Sequence, residues 1–87
     1  MTLDTKIPEV AEKLEELAVM LGKSFLKEIG NRRKIMSLYG HEPEVLDFMK
    51  RRLEKYFSEK GEDIAVQMGK GGYAVDVDYF IASIDAQ

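Results

Sequence analysis

The one histidine, three of the six aspartates, a glycine-rich loop and two basic runs are the parts of this chain whose residue types could do chemistry. His41 is the single histidine, with Glu42 and Glu44 close by in sequence. An imidazole can act as a general base, but catalysis needs a nucleophile or a second carboxylate held beside it. The stretch at 41–44 follows a glycine and opens a helix, which favours a surface residue at a helix start. Zinc is a weaker reading still, because one histidine in a chain without cysteine falls short of a usual ligand set.

Asp63, Asp76 and Asp78 share a strand face if the chain forms a hairpin around 69–72. Close carboxylates can bind Mg²⁺ or Ca²⁺ or shift each other's pKa. Exposed acids on a strand more often keep it soluble and protect its edge, and no calcium-loop pattern is present. A small metal-binding protein or enzyme using Asp63, Asp76, Asp78 and His41 is therefore the second alternative. The loop Gly69-Lys70-Gly71-Gly72 has the composition of an anion cradle. Phosphate loops, however, lead from a strand into a helix whose N-terminus holds the anion. Here apolar alternation resumes after the loop, so it reads as a hairpin turn.

The basic runs are Arg32-Arg33-Lys34 and Lys50-Arg51-Arg52, with Lys23, Lys27 and Lys55 nearby. Phosphate contacts supply most non-specific nucleic-acid affinity, so these six residues are the candidate contacts for the first alternative, a nucleic-acid-associated protein. Interspersed Glu28 and Glu54, net acidity and the lack of an RNA-binding signature weigh against it.

Eighty-seven residues make one small domain with a thin core, and 45% hydrophobic residues are too many for a disordered chain. No apolar run approaches a membrane span and no signal-peptide pattern opens the chain, so the expectation is a cytoplasmic protein with no membrane contact. The absence of cysteine removes disulfides and thiol nucleophiles. Charged residues reach 33%, with little Asn, Gln or His, a bias of proteins from hot environments. The net charge of −3 is segregated: −3 over residues 1–22, +4 over 23–34, zero over 35–60 and −4 over 61–87. Such segregation bears on association.

These residues need elements to position them. Val10, Leu14, Leu17, Leu21 and Phe25 recur at three- and four-residue steps behind Pro8, predicting a helix over 8–29 that Gly22 interrupts. A second helix is predicted over 32–39, either separate or continuous with the first. Pro43 and the stripe Val45, Leu46, Met49, Leu53, Tyr56 and Phe57 predict a third, over 43–60. From residue 62 the period becomes two, predicting strands over 63–68 and 73–84.

The second predicted strand is much longer than the first. In a hairpin, Phe80 to Ile84 would have no partner in their own chain, and an open apolar edge invites pairing. The sequence thus points to an α+β domain: two or three N-terminal helices, then an antiparallel hairpin extended to a four-stranded sheet across a homodimer. Tyr79, Phe80, Ile81, Ala82, Ser83 and Ile84 would form the contact. The alternative is that the last five of these residues bend away and pack under the helices.

The helix opening "IPEVAEKLEELA" and the segment "GKGGYAVDVDYF" make the whole chain resemble small uncharacterised proteins of hyperthermophilic archaea of the Thermococcales kind. That resemblance implies a cytoplasmic, thermally stable protein and transfers no catalytic or binding residues. The function expected is a non-enzymatic self-associating interaction or scaffold domain, without cofactor or metal. Its partners would be a second copy and possible further proteins.

Overall fold

The computed structural model of the chain describes residues 4–29 and 34–85. The order is helix α1 (Pro8–Ile29), strand β1 (Ile35–Tyr39), helix α2 (Pro43–Glu59), strands β2 (Ala65–Met68) and β3 (Tyr73–Asp76), and helix α3 (Val77–Asp85). The fold is α+β, with a three-stranded sheet in the order β2-β1-β3. Both ladders are parallel, with Met36 opposite Val66 on one side and opposite Tyr73 on the other.

The two long helices form where periodicity places them. Leu14, Leu17, Ala18, Leu21 and Phe25 of α1 are buried, as are Val45, Phe48, Met49, Leu53 and Phe57 of α2. The helices pack on each other, and α2 also lies against β2 and β1. The phenyl ring of Phe25 meets Phe57 at 5.6 Å between centroids and the edge of Tyr73 at 5.1 Å, tying α1, α2 and β3 together.

Three expectations fail, each for a physical reason. The predicted helix over 32–39 is strand β1 from Ile35 onward, while residues 32 and 33 lie outside the described part. As the central strand, β1 is buried at Met36, Ser37 and Leu38, so both of its faces are covered there. Burial on two faces removes the polar-apolar alternation by which a strand is recognised.

The hairpin is the second failure. β2 and β3 never pair with each other; they flank β1 on opposite sides and run parallel to it. Residues 69–72 must carry the chain across β1 and back from the level of Leu38 to that of Met36. Strand spacing and rise make this a displacement of about 12 Å, within the reach of five Cα steps. Ser37 Oγ donates to the Gly71 carbonyl and accepts from Gln67 Nε2 at 3.0 Å, so the passage lies on the sheet face away from Met36 and Leu38. Gly72 has φ +70°, and a Cβ on it would stand 3.3 Å from the Ile35 carbonyl oxygen. A side chain there would meet both backbone strain and the strand beneath it.

The third failure is the long C-terminal strand over 73–84. It ends at Asp76, and α3 takes up the rest. Asp76 Oδ1 accepts from the Tyr79 amide at 3.4 Å, the position of an N-cap. Val77 and Ile81 are buried and Phe80 packs against the same core, a three- and four-residue spacing that α3 satisfies. The unpaired apolar strand that called for an antiparallel four-stranded dimer sheet is therefore absent. The segment instead bends away as a helix, with Phe80 and Ile81 packed on the core, Ala82 exposed and α3 lying against β1.

Candidate functional site

Parallel strands place their C-terminal ends along one edge, where loops from separate strands converge. At that edge, β1 runs into Gly40 and His41, and β3 runs into Asp76 and the first turn of α3. Gly40 leaves room for the meeting: a Cβ there would come within 2.8 Å of Asp78 Oδ1. The His41 amide donates to both Asp78 oxygens, at 3.2 and 3.1 Å. The ring closes the contact, with Nδ1 2.5 Å from Asp78 Oδ2. An ionised carboxylate only accepts, so Nδ1 carries the proton and Nε2 is the acceptor of the neutral ring. The His41 side chain is 96% exposed, which leaves Nε2 in solvent.

The hydrogen bond and charge of Asp78 raise the His41 pKa above its ordinary 6.5, against a smaller opposition from desolvation and with the least contribution from Asp76. The same ring holds Asp78 below its ordinary 3.8. For His41, the stabilisation is fully present below 6.5 and is lost as pH rises through the folded-state value. For Asp78, it is present above 3.8 and is lost as pH falls through the folded-state value. The link between β1 and α3 is thus strongest between those two ordinary values. An NMR titration should put the His41 midpoint above 6.5, and Asp78→Asn should return it towards that value. An unmoved midpoint in the variant would show the contact to be absent in solution.

An outward Nε2 backed by a carboxylate can accept a proton or provide one metal ligand. Among the described residues, no group of three or more His, Cys, Asp or Glu could hold a metal ion. The fourth residue of that reading, Asp63, precedes β2 and so belongs to the opposite edge of the sheet. The structure therefore brings together His41, Asp76 and Asp78 and leaves Asp63 apart. It adds one feature that sequence reasoning passes over: Lys70 of the crossing loop places Nζ 4.9 Å from the Tyr39 ring centroid, at the same edge. Its composition reads only as a turn until β1 is known to lie beneath it.

The basic runs fare differently. Arg32 and Arg33 lie outside the described residues, and Lys34 is exposed. On α2, Lys50 pairs with Glu54 at 3.0 Å and Arg51 with Asp47 at 3.1 Å, while Lys55 reaches Glu59 at 3.9 Å. Arg52 has no carboxylate within pairing distance among the described residues and lies over the Phe48 ring, 5.1 Å from its centroid. The six residues expected at a self-association contact, Tyr79 to Ile84, are in α3 rather than on a strand edge. Tyr79 is 70% exposed, Ala82 is exposed, and Phe80 and Ile81 pack inward.

No family model matches the chain, and no curated protein or solved structure matches it either. No helix among the described residues is long and apolar enough to cross a membrane.

Proposed function

We propose that this chain is a non-enzymatic interaction domain that associates with a second copy of itself, through the outer edge of β2. The supporting observation is that the sheet is open where β2 ends it: no strand covers that side among the described residues. Strand β2 reads Ala-Val-Gln-Met, without a charge to keep a second strand away, and Met68 is 44% exposed. Charged side chains are a usual protection of an edge. The other edge strand, β3, ends in Asp76 beside Asp78 and so brings like charges to any self-pairing.

The Ala65 amide bonds to the Lys34 carbonyl and the Gly69 amide to the Leu38 carbonyl, so alternate groups of β2 face β1. The amide and carbonyl groups of Val66 and Met68, between them, face outward. A two-fold axis would set Val66 of one copy opposite Met68 of the other in an antiparallel six-stranded sheet. This keeps the homodimer expected from the sequence and moves its contact from 79–84 to 65–68.

Sedimentation at micromolar concentration should give a dimer. Met68→Pro removes one outward N–H and leaves the bonds to β1 intact, an edge position where proline is tolerated. That variant should sediment as a folded monomer with unchanged far-UV circular dichroism. A monomeric parent, or a proline variant that dimerises as well as the parent, would refute the edge contact.

A further inference from the structure

The outer face of α2 carries a second feature, independent of the sheet edge. Phe48, Arg51, Arg52 and Lys55 line a hollow of about 310 Å³. Three cationic side chains surround an aromatic floor of which only 9% remains exposed. The three differ in how they are engaged. Arg51 is held by Asp47 at 3.1 Å, and Lys55 is loosely drawn to Glu59 at 3.9 Å. Arg52 alone of these has no carboxylate within pairing distance among the described residues. Its guanidinium carbon lies over the Phe48 ring, 5.1 Å from the centroid, a cation–π distance that occupies no N–H donor with a carboxylate.

We infer that this hollow binds the phosphoryl group of a small anionic molecule, with Arg52 as the bidentate anchor and Arg51 and Lys55 as flanking charges. A planar guanidinium without a carboxylate partner among the described residues suits two phosphate oxygens at once. An adjoining depression shares Arg52 and Lys55 and is also lined by Glu15 and Glu59. These carboxylates limit the positive field to the hollow itself, which favours a compact anion over a long polyanion laid along the helix. Arg51 and Lys55 contribute less because Asp47 and Glu59 compete for them.

The test is a titration of the ¹⁵N-labelled full chain with inorganic pyrophosphate at low ionic strength, followed on backbone amides. Saturable shifts should centre on residues 48–55. Arg52→Gln should weaken binding about tenfold or more, the scale of losing a charge-assisted bidentate contact. Arg52→Lys keeps the charge without the fork and should fall between the two, while Arg51→Gln should cost less than Arg52→Gln. Amide shifts outside the hollow report that each variant remains folded. No saturable shift at 48–55, or an Arg52→Gln variant that binds like the parent, would overturn the site. A parallel titration with a short single-stranded RNA separates the sources of phosphate. Tighter RNA binding that spreads along α2 and beyond would overturn the small-anion assignment in favour of a nucleic-acid face.

Discussion

Phe25→Ala is expected to cost about 3–5 kcal/mol of folding stability, the usual range for removing a buried phenyl ring. Folded domains have only about 5–15 kcal/mol in hand, so a large share of the total would be lost. Phe25 is 0% exposed and touches aromatic rings on two other elements, Phe57 of α2 and Tyr73 of β3. Its removal therefore leaves a void where three elements meet. Neither neighbour can fill that void without giving up its own packing. Tyr73 is further held by the bond from its hydroxyl to Glu28 at 3.3 Å. Urea denaturation followed by circular dichroism measures the effect. Tyr79→Ala, at a ring 70% exposed, is the control and should stay within about 0.5 kcal/mol of the parent. Equal midpoints for the two variants would show that the three-ring cluster is absent.

Gly22→Val should be the next most damaging change, against what helix propensity says. In a helix interior glycine is about 1 kcal/mol worse than alanine, so replacing it ordinarily stabilises. Here α1 lies so close to α2 that a Cβ on Gly22 would stand 2.6 Å from Tyr56 Cδ2 and 2.8 Å from Cε2. The Tyr56 ring packs edge-on with Phe57 at 5.8 Å and under the Lys60 ammonium at 5.6 Å, so moving it aside breaks two further contacts. Overpacking of this kind costs about 1–3 kcal/mol, and a branched side chain lies at the upper end. Gly22→Ala should already be less stable than the parent. Combining it with Tyr56→Ala should destabilise by less than the two single changes together, because the second change removes the obstacle. A Gly22→Ala variant more stable than the parent would mean that the helices sit further apart.

Both of these residues belong to elements that are legible in the chain itself. Helices α1 and α2 are long, strongly periodic and opened by proline, so period and punctuation agree over 8–29 and 43–59. The sheet is less legible because its recognition depends on neighbours. Ile35 to Tyr39 fits a helix as well as a strand until β2 and β3 are known to enclose it. The run after Asp76 satisfies two periods at once: Val77, Tyr79 and Ile81 alternate, while Val77, Phe80 and Ile81 fit a helical face. The N-cap at Asp76 settles it, and an aspartate three residues before Tyr79 is a signal that period-two counting ignores.

The candidate site divides in the same way. His41, Asp76 and Asp78 stand out by residue type, but the His41–Asp78 contact spans 37 positions and exists only because β3 lies beside β1. The singular state of Arg52 is nearer the surface of the sequence. Asp47, Lys50, Glu54, Lys55 and Glu59 pair at four-residue steps with their α2 neighbours, and the residues four positions either side of Arg52 are Phe48 and Tyr56.

The short passage over β1 also governs the order in which the molecule can be assembled. Every bridge in the sheet joins residues 30 or 37 positions apart, so no local ribbon exists to start it. Closing such long segments delays folding relative to a hairpin of equal size. The loop beyond Met68 covers the Ser37 face of the middle strand, so that face is closed only when β3 is in place. The segment from Gly69 through α3 thus acts as a clasp, holding the central strand from its outer face and its far edge at once.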